Sequence, residues 1–109
     1  MKRVAQIVGL RPEKAGEYLE LHRHVWPGVQ KALRDANVTN YSIFLRDGVL
    51  FSYFEYVGDD YAADMARIAA DPETQRWWQH TDPCQQPLPT ARPGELWVEA
   101  AEVFRLDES

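Results

Sequence analysis

Apolar and polar positions change period several times along the chain, and each change predicts an element. Over Lys2–Leu10, Val4, Val8 and Leu10 fall on one side of an extended chain and Ala5 and Ile7 on the other. That pattern predicts a strand with apolar positions on both faces. Pro12 suits a helix's first turn, and Glu13 and Glu17 follow near the positive end of the helix dipole. Tyr18, Leu21, His22, Val25 and Val29 then recur at three- and four-residue spacing, which makes one helical face. Pro27 removes a helical hydrogen bond, so a break is expected near Val25-Trp26 before the helix resumes to about Ala36. Residues 38–46 and 49–57 read as two strands joined by Asp47-Gly48, a strong hairpin signal. Tyr41, Ile43 and Leu45 share one face of the first, because strand side chains alternate. Gly58-Asp59-Asp60 caps a helix expected through about Ala70, and Asp71-Pro72-Glu73 restarts one through about Gln79. Residues 81–95 carry four of the seven prolines and read as a loop; residues 96–106 read as a fourth strand.

Strand, helix, two strands, helix, strand is the βαββαβ order of a ferredoxin-like α+β unit. Two helical regions cover one face of such a sheet. Residues 49–57 nevertheless place Phe51, Tyr53 and Val57 on one face and Leu50, Phe54 and Tyr56 on the other. The uncovered face needs a partner, and a second copy of the same sheet meets that need by symmetry. The expectation is a homodimer whose two sheets form a dimeric α/β barrel.

Composition narrows the function. The 109 residues make one domain, residues 1–109, with room for a modest core. Twelve Lys+Arg against 17 Asp+Glu give a net charge of −5, with no basic stripe to meet phosphate, so nucleic acid is not an expected partner. The first apolar stretch is interrupted by Gln6 and stops at Arg11, too short for a signal or a membrane span. A single cysteine makes no internal disulfide, and a cytoplasmic protein without a membrane partner is expected. Four Trp, five Tyr and four Phe suit a core, an interface or a flat-ligand pocket equally.

Few residues carry candidate chemistry. His22 lies one helical turn beyond Tyr18, and an imidazole beside a phenol suits general acid–base work near neutral pH. The same spacing also suits a buried histidine and a core tyrosine. His24, about 200° around the helix from His22, cannot share a metal with it. His80, Asp82 and Cys84 alternate, but Pro83 interrupts them and no further Cys or His cluster completes a tetrahedral set. Cys84 reads as a bystander. Trp77 and Trp78 diverge by about 100° on a helix, so one can pack the core while the other covers a ligand or a dimer seam. Trp26 and Trp97 read as packing residues. No glycine-rich phosphate loop and no nucleophile triad spacing is present.

Three segments together resemble the L-rhamnose mutarotase family: YLELHRHVWP at residues 18–27, NYSIFL at 40–45, and RWW at 76–78, with Glu102-Val103-Phe104 beyond them. Their order and spacing cover essentially the whole chain. The resemblance implies a dimeric α+β barrel that interconverts the α and β anomers of a 6-deoxy sugar, a small-molecule monosaccharide, with no metal and no organic cofactor. It implies that His22 is the proton donor and that Tyr18, Tyr41, Trp77 and Trp78 bind the sugar. His24 and the stretch 79–86 depart from the pattern, so L-rhamnose and L-fucose are both open as substrates. Two other readings compete: a cofactor-free or haem-handling monooxygenase, by fold analogy alone, and a non-catalytic ligand-binding module.

Overall fold

The computed structural model describes residues 1–106. It is an α+β structure in which helices pack on one face of an antiparallel sheet. Strand β1 (Lys2–Leu10) leads through a single 3₁₀ turn, Pro12–Lys14, into helix α1 (Ala15–Arg23). Helix α2 (Pro27–Asp35) follows, then the hairpin of β2 (Val38–Arg46) and β3 (Val49–Tyr56). Helices α3 (Tyr61–Ala70) and α4 (Pro72–Thr81) come next, and the short strands β4 (Gln85–Gln86) and β5 (Val98–Ala100) complete the order.

Local signals account for most of these boundaries. The break between α1 and α2 falls at residues 24–26, with Pro27 opening α2 at a position that needs no N–H donor. Asp47 and Gly48 both take positive φ, 52° and 74°, as a two-residue hairpin turn requires. Asp60 caps α3 by accepting from the Ala63 N–H, and Asp71 caps α4 by accepting from the Thr74 N–H.

The sheet order is β2-β3-β1-β4, with β5 also on the outer edge of β1. Val4, Val8 and Leu10 of β1 and Leu50, Phe54 and Tyr56 of β3 are buried beneath the helices. Two apolar clusters share that face. One gathers Val4, Ala36, Val38, Phe54, Tyr56 and Ile68. The other gathers Val8, Leu10, Tyr18, Leu50 and Cys84. Asp64 fastens α3 to the sheet by accepting from the Tyr56 hydroxyl at 2.5 Å and the Asn37 amide at 3.0 Å. The opposite face is bare: Phe44 is 61% and Phe51 42% exposed.

A bulge in β2 sets the phase of the site. Thr39 pairs with Glu55 and Ser42 with Tyr53, so two residues, Asn40 and Tyr41, face the single Phe54. Asn40 takes φ 50° to make the extra step, and its amide donates to Glu55 at 2.7 Å. The added residue reverses the alternation. Val38 and Ile43 both end on the helix-covered side, opposite the buried Tyr56 and Ser52, and Tyr41 turns the same way onto Phe54.

The expected fourth strand over residues 96–106 is corrected to Val98–Ala100. At its start, β4 already occupies the edge beside Gly9 and Leu10, which displaces Leu96 and Trp97 onto the cluster around Leu10 and Tyr18. At its end, pairing stops at Ala100, although Val4, Arg3 and Lys2 of β1 stand opposite residues 101–103 in the same register. With Ala5 opposite Ala100, the same register would set Phe104 against Met1 and leave Leu106 with no partner strand. Residues 101–106 have no regular structure, and Val103, Phe104 and Leu106 are exposed. The stretch 81–95, expected as a loop throughout, contains a 3₁₀ turn at Asp82–Cys84 and the two residues of β4. No described helix is long and apolar enough to cross a membrane.

Candidate active site

Helix α1 holds intact across the turn from residue 18 to residue 22, so both side chains project to the same side. The Tyr18 and His22 rings stack with centroids 4.2 Å apart. The His22 ring is also tied to the backbone: Nδ1 lies 2.8 Å from the Tyr18 carbonyl oxygen. A carbonyl can only accept, so Nδ1 carries the hydrogen and Nε2 of the neutral ring presents its lone pair.

Trp77 of α4 meets the His22 ring edge-on at 5.3 Å and is 5% exposed. Trp78, one residue on, is 37% exposed. The pair thus divides its work, one indole packed against the histidine and the other at the rim. Trp26, at the helix break, packs edge-on against Trp77 at 5.2 Å and His80 at 5.7 Å and supports the cluster from behind.

Tyr18, His22, Trp77 and Trp78 border a half-open cavity of 1010 Å³ between the sheet and helices α1 to α4. It lies at the upper end of the range usual for small-molecule sites, roughly 300–1,000 Å³. Tyr18, His22, Tyr41, Trp77 and Trp78 all line it, so the five residues singled out in the sequence converge on one space. Gln6, Asp82, Gln85 and Trp97 line it as well. Trp97 reached it because β4 displaced it from the sheet edge. Gln6 was legible only as an interruption of an apolar run, and Gln85 only as one polar residue in a proline-rich stretch.

Burial fixes the charge state of the two phenols. It raises Tyr18 to about 12, against the lowering effect of a hydrogen bond from Gln85. It raises Tyr41 to about 12 too; although 40% of that residue is exposed, its hydroxyl end is desolvated. Both are neutral hydrogen-bonding groups at ordinary pH. Burial also raises the Asp82 carboxyl.

The other candidates lie elsewhere. His24 caps the end of α1 through its N–H to the Leu21 carbonyl and borders a separate, shallower hollow with Glu17, Glu20, Leu21 and Trp26. Cys84 is fully buried, with Sγ 3.4 Å from both Glu17 and the His80 carbonyl; burial, then Glu17, raises its thiol away from the reactive thiolate. Among the described residues no three His, Cys, Asp or Glu side chains are grouped to hold a metal.

Comparison with known proteins accords with this geometry. A family model described as L-rhamnose mutarotase matches residues 3–106. An L-fucose mutarotase of Xanthomonas campestris pv. campestris is 36% identical, over 100% of this chain and 91% of its own. An L-rhamnose mutarotase of Listeria monocytogenes is also 36% identical, over 97% of this chain and 99% of its own. The crystal structure of an L-rhamnose mutarotase from Formosa agariphila superposes with a TM-score of 0.77 at 25% identity, covering 98% of this chain and 100% of the other. The helix-covered side of the sheet thus holds an aromatic cavity around one imidazole, of a size that suits a small molecule. The chain belongs to the L-rhamnose mutarotase family, whose activity is an isomerisation.

The raised Tyr18 phenol makes a checkable link to stability. Its folded pKa, about 12, lies above the ordinary 10.0, so its contribution is complete below pH 10 and is lost as pH rises through 12. Urea unfolding across pH 9 to about 12 is expected to show a steeper loss of stability for the native chain than for Tyr18→Phe. Parallel curves would remove burial of this hydroxyl from the account.

Proposed function

We propose that the protein is a sugar mutarotase that interconverts the α and β anomers of L-rhamnose, acting as a homodimer without a cofactor. The observation that carries this reading is the His22 ring, pinned at Nδ1 by the Tyr18 carbonyl, in the wall of an aromatic cavity. Ring opening needs a proton delivered to the ring oxygen O5 while the O1 hydroxyl gives one up. The C1–O5 bond breaks, C1=O forms, and rotation about C1–C2 precedes closure on the other face. His22 takes up a proton at Nε2 and, as imidazolium, donates it to O5, while the O1 proton leaves to water; closure is the reverse. A positioned acid or base of this kind contributes on the order of 10² to 10⁴ in rate.

The surroundings fit a deoxy sugar. Trp77 and Trp78 offer indole faces to the C–H face of the ring and to the C6 methyl, which leaves C1 free. Tyr18 and Tyr41, held neutral by burial, supply hydrogen bonds to hydroxyls without competing for the proton. L-fucose is the second reading, favoured by the 36% identity to an L-fucose mutarotase.

The chain reads as one ferredoxin-like mutarotase domain, residues 1–109, of which the last three lie outside the described residues. The bare sheet face with Phe44 and Phe51, and the exposed Val103, Phe104 and Leu106 beyond β5, support a partner sheet that completes a dimeric barrel. A single cysteine, with no disulfide to form within the chain, supports work in the cytoplasm.

Anomer exchange followed by NMR saturation transfer tests the activity. His22→Ala is expected to slow the accelerated exchange by at least about 100-fold while sugar still quenches tryptophan fluorescence; undiminished exchange would take His22 out of the mechanism. Sedimentation tests the assembly: the native chain should run as a dimer at micromolar concentration and Phe51→Asp as a monomer. A native monomer would defeat the barrel.

A further inference from the structure

Gln85 is the polar group of the cavity wall that the mechanism does not use. It opens the two-residue strand β4, opposite Leu10 at the edge of β1. That approach depends on Gly9, where a Cβ would lie 2.7 Å from the Gln86 carbonyl oxygen. The backbone is fixed further by the Arg11 N–H, which donates to the Cys84 carbonyl at 2.9 Å. The backbone at Gln85 is therefore held from both directions. The residue is 4% exposed, it lines the cavity, and its amide lowers the Tyr18 phenol against the effect of burial.

Its Oε1 has no partner. A buried amide acceptor without a hydrogen bond is costly, and native structures keep few of them. Ser52 Oγ, the other buried unpartnered side-chain atom among the described residues, is not in the cavity wall. Gln85 is, so the unpartnered acceptor belongs to a side chain of the cavity wall. The carboxamide acts on Tyr18, and its oxygen is free. A sugar hydroxyl both donates and accepts, so it satisfies the free end in either orientation of the amide.

We propose that Gln85 determines sugar specificity: its free amide end hydrogen-bonds one of the non-reacting hydroxyls, at C2, C3 or C4, while its other end holds Tyr18 in place. This inference rests on the mutarotase reading. A residue that fixed O1 would favour one anomer, and an enzyme that interconverts both gains discrimination only by reading a centre whose configuration does not change. A site built around a hydroxyl rejects the analogue that lacks it, because its buried partner is then left unpaired.

The test titrates tryptophan fluorescence with the parent sugar, L-rhamnose or L-fucose, whichever binds more tightly, and with its 2-, 3- and 4-deoxy analogues. The native protein is expected to bind one analogue at least about tenfold more weakly than the parent. In Gln85→Leu that gap should shrink to within about threefold, and Gln85→Glu, which keeps an acceptor, should retain it. Gln85→Met carries the same comparison where Gln85→Leu does not fold. An equal gap in the native protein and the apolar variant overturns the proposal, as does a native protein indifferent to all three deletions. Anomer exchange is measured on the same samples. Binding without acceleration would overturn the mutarotase reading, while the comparison of deoxy sugars still decides whether Gln85 reads a hydroxyl.

Discussion

The site depends on one hydrogen bond, from Nδ1 of His22 to the carbonyl of Tyr18 one turn earlier. It commits the imidazole tautomer and orients the ring, so the remaining nitrogen is the one available for proton exchange. Everything nearby reinforces it. The Tyr18 ring stacks on one side, Trp77 meets the imidazole edge-on, and Trp26 braces Trp77. The bond requires an unbroken helix between residues 18 and 22, and Pro27 interrupts the chain only after that turn is complete. Had the break fallen a turn earlier, the phenol and the imidazole would no longer share a face.

The sheet supplies the opposite wall by two departures from regularity. The Asn40 bulge reverses the alternation of β2, which brings Tyr41 onto the same side as the buried Val38. The missing side chain at Gly9 lets β4 close onto β1 and carries Gln85 to the cavity. Both place a polar side chain where an unbroken strand would not.

What was legible in the sequence was local. Proline and acidic caps, the Asp-Gly turn and the three- and four-residue spacing of α1 each report conformation within a few residues, and these elements appear where they were expected. Tyr18 and His22 share the cavity because helical periodicity fixes a face, whereas Tyr41 arrives through the bulge and Trp77 and Trp78 diverge on α4. Gln85 was not legible, since a two-residue strand has no period and its burial is set by a glycine more than seventy residues away. The fourth strand was overextended because residues 101–106 have strand-like composition, yet pairing with β1 stops at Ala100 and only residues from Phe104 onward lie beyond the start of β1.

The most direct test of the central claim is the tautomer of His22, read by ¹⁵N NMR of the imidazole nitrogens in the protein without sugar. Neutral His22 should carry its hydrogen on Nδ1, leaving Nε2 unprotonated, and the Nδ1 signal should persist as pH is raised. A ring protonated on Nε2 would contradict the Tyr18 carbonyl contact and, with it, the proton route through which the cavity is proposed to open and close a sugar ring.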